Sequence, residues 1–105
     1  MEIVETPFFT TQITRNMSDD EYLEICCALV TNPALGTVIR HSGGLRKLRW
    51  GYGGRGKRGG CRIIYYWYVE ENELLMLLFY AKNEVDDLTK DQLVRLQSIV
   101  ERELK

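Results

Sequence analysis

Between Ile25 and Val69 the sequence contains no aspartate or glutamate, and outside residues 36 to 60 it contains no glycine. It has one histidine, three cysteines with no C-x-x-C spacing, and no uninterrupted apolar run approaching the ~18 residues a membrane-spanning helix needs. Nothing at the amino end joins a basic segment to a long apolar run, so neither secretion nor membrane insertion is signalled and the expected location is the cytoplasm. Cys26 and Cys27 are adjacent and Cys61 is left over, which speaks against a disulfide framework or zinc site and makes all three buried or half-buried free thiols. No metal or other cofactor is implied.

What is present is a segregation of charge. The chain has 14 lysines and arginines against 15 acids, a net charge of -1, yet Arg40, Arg46, Lys47, Arg49, Arg55, Lys57, Arg58 and Arg62 all fall within the acid-free interval. The acids collect at residues 19 to 24 and from Glu70 onward. A local field can be strongly positive on a molecule whose total is near zero. At 105 residues the chain suits one domain, 1–105, with one modest core.

The periodicities give a β-α-α-β-β-β-α order, an α+β fold in which two N-terminal helices and a C-terminal helix pack on a mainly antiparallel sheet. Residues 2 to 5 are a short strand. Thr6-Pro7 suits a helix start, with Phe9, Ile13 and Met17 repeating at four-residue spacing. Ser18-Asp19-Asp20-Glu21 has the form of a capping box for a second helix carrying Tyr22, Ile25, Cys26, Leu29 and Val30, which Asn32-Pro33 ends. Leu45 to Trp50 reads as a strand with Arg46, Leu48 and Trp50 on one face and Lys47 and Arg49 on the other. Cys61 to Val69 alternates Cys61, Ile63, Tyr65, Trp67 and Val69 against Arg62, Ile64, Tyr66 and Tyr68. Glu70 to Glu73 is a polar turn, and Leu74 to Ala81 is apolar on both faces, as in a central strand. Thr89 and Gln92 form a second capping box, opening a helix with a Leu93, Leu96, Val100 and Leu104 stripe.

The stretch GYGGRGKRGGCR, residues 51 to 62, matches G-x-G-x-x-G and a P-loop up to the residue after the lysine, where Arg58 replaces Ser or Thr. A phosphate cradle needs a helix N-terminus after the loop, and here a strand follows. A solvated flexible linker is the bland alternative. The more specific reading places Lys57, Arg58 and Arg62 near a strand end with Tyr66 and Tyr68 on the Arg62 face, where arginine can grip a phosphate and tyrosine can stack on an exposed base. Arg46, Lys47, Arg49 and Arg55 would extend that contact.

Three segments, Gly43-Gly44-Leu45-Arg46-Lys47-Leu48-Arg49, Gly56-Lys57-Arg58-Gly59-Gly60-Cys61-Arg62-Ile63-Ile64-Tyr65-Tyr66 and Tyr80-Ala81-Lys82-Asn83-Glu84 with Asp87-Leu88, resemble the HigB-type branch of the RelE/ParE toxins of type II toxin-antitoxin systems. The resemblance covers nearly the whole chain. It implies a small toxin that enters the ribosomal A site and cuts the mRNA being translated, held inactive by a cognate antitoxin with a DNA-binding helix-turn-helix domain. Some relatives carry a histidine or tyrosine after the last strand or at the carboxyl end, whereas this chain ends Glu101-Arg102-Glu103-Leu104-Lys105, and Asn83 stands where some carry arginine.

Metal-free RNA cleavage needs a deprotonated 2′-OH, stabilised phosphorane charge and a protonated 5′ oxygen. Arg62 is the first candidate, as phosphate clamp, with Lys57, Lys82 and Glu84 completing the catalytic set. A lysine among clustered cations gives up its proton more readily, and Glu84 is the alternative base. His41, the one histidine, reads as an incidental loop residue or as a contributor. Two other functions stay open: a ParE-like inhibitor of DNA gyrase, and a nucleic-acid-binding module without catalysis.

Overall fold

The computed structural model describes residues 1–51, 60–82 and 87–103. Its elements are β1 (Glu2–Glu5), α1 (Pro7–Asn16), α2 (Asp19–Thr31), β2 (Thr37–Val38), β3 (Arg46–Trp50), β4 (Cys61–Tyr68), β5 (Glu73–Ala81) and α3 (Lys90–Glu103). The sheet order is β1-β5-β4-β3-β2, antiparallel throughout except for the parallel β1–β5 pair. This is the expected α+β arrangement, with the helices divided between the two faces of the sheet. Among the described residues no helix is long and apolar enough to cross a membrane.

The caps form as their residue types require. Thr6 accepts from the Phe9 amide, and Ser18 and Glu21 bond each other's backbone amides in a complete capping box. Thr89 and Gln92 do the same ahead of α3, at 2.8 and 3.2 Å. Each reciprocal pair satisfies two amides that a helix start would leave without partners.

Two cores result. Phe9, Ile13 and Met17 of the α1 region and Ile25 and Leu29 of α2 pack with Leu48, Cys61, Ile63, Tyr65, Met76 and Phe79 on one face. On the other, Leu96 and Val100 of α3 pack with Leu45, Ile64, Leu75 and Leu77. Cys26 and Val30, expected in the α2 stripe, are half-buried and exposed, because the helix buries only the Ile25–Leu29 line. Cys61 is buried and Cys26 half-buried, as expected, whereas Cys27 is exposed.

Three features depart from the sequence expectation. Thr37–Val38 adds an edge strand too short to leave a periodic signal. The 60s strand stops at Tyr68, and Val69–Glu71 forms a 3-10 turn closed by Asn72 at φ 53°, a left-handed conformation that asparagine tolerates. The β4–β5 ladder also contains a register shift between Ile64 and Tyr65.

Candidate phosphate-binding face

The two faces of β3 put cations to different uses. Arg46 lies on the α1–α2 side, where its Nη1 donates to the carbonyls of Gly36 at 2.8 Å and Ala34 at 3.4 Å and its guanidinium sits 5.9 Å from the centre of the Trp67 ring. It therefore fastens the 33–36 loop. Lys47 and Arg49 point to the α3 side by alternation, and the registers carry that face across the sheet: Arg49 stands opposite Arg62, and Arg62 opposite Tyr80.

Lys47 and Arg49 wall an open cleft of about 380 Å³, closed elsewhere by Thr37, Arg40 and the Asp87–Leu88 lead into α3. Lys47 Nζ lies 3.5 Å from Asp87 Oδ1, an exposed pair that orients the lysine at the cleft mouth more than it stabilises the fold. Arg49 is exposed, whereas Arg62 is only 6% exposed and donates from Nη1 to the Cys61 carbonyl at 3.0 Å. A guanidinium drawn into a sheet is partly desolvated, so an anion beside it is attracted more strongly than by one in water. Directly opposed arginines also repel each other, a cost that a bound anion offsets.

Lys82 is exposed just beyond β5, its amide donating to the Gly60 carbonyl at 3.0 Å, so it belongs to the Arg62 end of the sheet. Lys57, Arg55, Arg58 and Glu84 lie outside the described residues. Tyr66 and Tyr68 do share the Arg62 face but are not brought to it. Tyr66 is about 13 Å further along the strand at ~3.3 Å per residue, beside the 42–45 turn and α3. A Cβ at Gly44 would come 3.3 Å from its ring, and Tyr68 packs next to it with ring centroids 6.5 Å apart. His41 is exposed in the same distant turn at φ 56°, its carbonyl accepting from Gln97 Nε2 at 3.4 Å. The tyrosine pair and the histidine both lie away from Arg62, toward the other end of the sheet.

Sequence reasoning passed over Arg40, Asp87 and Tyr80. The charge signal already contained Arg40, but Asp87 reaches Lys47 across 40 residues of chain, which no local pattern reveals. Tyr80 was hidden by the register shift. No protein-family model matches the chain.

Proposed function

We propose that this protein is the toxin of a type II toxin-antitoxin system, a HigB-like, metal-independent endoribonuclease that cuts mRNA on the ribosome. The observation that carries the reading is the Arg49–Arg62 pair, side by side across β3 and β4, with Arg49 in the wall of a cleft that Lys47 and Arg40 also line and Arg62 buried next to it. Opposed arginines on adjoining strands, within 45 residues free of acid, suit a phosphodiester backbone better than a neutral ligand. The segment resemblance supplies the ribosome, the cytoplasmic setting and the antitoxin.

In this reading Arg62, fixed on a strand, holds the scissile phosphate and meets the charge that develops on its oxygens, with Arg49 sharing it. The 2′ oxygen attacks phosphorus and the 5′ oxygen leaves, giving a 2′,3′-cyclic phosphate and a 5′-hydroxyl. Lys82 at the end of β5, with Lys57 and Glu84, supplies the candidates for moving the two protons. Lys47 and Arg40 grip flanking backbone, and the ribosome aligns the mRNA.

The test is primer extension on a defined mRNA in reconstituted translation, with and without ribosomes, using wild type and Arg62→Ala. New ends only with wild type and translating ribosomes are expected. Ends made equally by a folded Arg62→Ala protein would remove the clamp role, and no ends from wild type would reject the nuclease.

A further inference from the structure

Tyr80 enters the cationic row through the irregularity in the sheet. From the 69–72 turn the ladder runs regularly to Tyr65 opposite Met76, then passes over Leu77 and resumes with Ile64 opposite Leu78. In an unbroken ladder Phe79 would stand opposite Arg62. The extra residue instead turns Phe79 into the α1–α2 core and sets Tyr80 beside the arginine. A bulge bends its strand and re-aims the side chains beyond it, and such irregularities gather next to binding and catalytic sites.

The side chain delivered this way is 6% exposed, and among the described residues its hydroxyl is buried without a hydrogen-bond partner. Buried hydroxyls are nearly always satisfied, so one that is not calls for a specific reason. Among the described residues, the charged groups that act on it are Asp87, Arg62 and Arg49. Burial raises its pKa, Asp87 adds to the rise and the two arginines oppose it, so the hydroxyl keeps its proton and remains a donor at neutral pH. A donor with no acceptor thus lies in one row with two opposed cations.

We infer that Tyr80 donates its hydroxyl hydrogen bond to a phosphate oxygen held by Arg49 and Arg62, the three side chains forming one tetrahedral-oxyanion subsite. Arg49 is exposed in the cleft wall, whereas Arg62 and Tyr80, each 6% exposed, lie deeper along the same row. The identity of that phosphate as an RNA phosphodiester rests on the nuclease reading; the oxyanion class rests on the three side chains alone. Neutral donors suit this place because a third cation would add repulsion, whereas a hydroxyl adds direction without charge.

The test has two arms that fail separately. In the first, the full-length protein is titrated with inorganic phosphate while the Tyr80 ring-carbon resonance next to the hydroxyl and the Arg49 and Arg62 side-chain N–H resonances are followed by NMR, with chloride at equal ionic strength as control. Saturable movement of all three with phosphate is expected. Movement of the arginines without Tyr80, or the same movement with chloride, overturns the inference. In the second arm Tyr80→Phe is compared with wild type for single-turnover mRNA cleavage on programmed ribosomes and for thermal unfolding. Cleavage falling about tenfold, as expected for one lost hydrogen bond to a charged group, with unchanged or higher Tm supports the subsite. Wild-type cleavage by Tyr80→Phe, or a lowered Tm that reveals a structural partner for the hydroxyl, overturns it. If wild type itself cuts nothing while phosphate still moves Tyr80 and both arginines, the nuclease reading falls and the subsite stands.

Discussion

Tyr65 and Tyr80 are buried on opposite faces of one sheet, and their hydroxyls are treated in opposite ways. The Tyr65 hydroxyl accepts from the Gly36 amide at 2.8 Å and donates to the Pro33 carbonyl at 2.6 Å, while Arg46 fastens the same loop through the Gly36 carbonyl. The Tyr80 hydroxyl has no partner among the described residues, and its cationic neighbours lie on the face where α3 buries Leu96 and Val100. Two helices close the first face and one covers the second, so the first spends its polar groups on itself. The second carries Arg49 exposed at the cleft and, among the described residues, one buried hydroxyl without a partner. Strand alternation makes this division possible, because neighbouring residues such as Arg46 and Lys47 are sent to different tasks.

The largest break in the comparison should come from the sealed face. Tyr65→Phe leaves a buried amide and carbonyl without partners and should cost about 1–3 kcal/mol in urea unfolding, whereas Tyr80→Phe should lie within about 0.5 kcal/mol of wild type or above it. Equal losses would erase the distinction. Gly36→Ala probes the same contact from the other side. Its Cβ would come 2.7 Å from Tyr65 Cε1 and 3.1 Å from the Lys47 carbonyl, and the ring is fully buried, so a loss of about 1–3 kcal/mol is expected.

A smaller effect concerns pH. Burial pushes the Cys61 thiol, on the sealed face, from 9.0 up to about 12. The unfolded chain therefore loses this proton first. The contribution is intact below about pH 9 and is lost as pH rises toward about 12, so alkaline destabilisation should be steeper in wild type than in Cys61→Ala, measured by Tm across that range. Parallel curves would mean that the thiol does not matter. The smallest effect is expected at the cleft: Asp87→Asn removes the exposed Lys47 pair and should change stability by less than about 1 kcal/mol, checked by the same unfolding curves. A larger loss would make Asp87 part of the framework.

Much of the framework was legible because it is local. The three caps, the four-residue spacing of Phe9 and Ile13, and the alternation through β3 and β4 each depend on neighbours within a few positions. The shared face of Lys47 and Arg49 was legible for the same reason, and the register sets Arg49 and Arg62 opposite each other. Arg46 was grouped with the other cations as an RNA contact although the alternation already set it on the Leu48–Trp50 face, where it bonds the 33–36 loop. Tyr66 and Tyr68 were placed with Arg62 on face alone, without the distance along the strand. Tyr80 was illegible because counting back from the turn gives Phe79 opposite Arg62, and only the skipped Leu77 reverses that.

The most direct test of the division between the two faces is the single-turnover rate of mRNA cleavage on programmed ribosomes for Arg49→Gln beside Arg46→Gln, three residues apart on opposite sides of β3. The expected result is a loss on the order of 100-fold for Arg49→Gln with an unchanged Tm, and a lower Tm with a near-normal rate per folded molecule for Arg46→Gln. A normal rate for folded Arg49→Gln together with a collapsed rate for folded Arg46→Gln would contradict it and move the working face to the other side of the sheet.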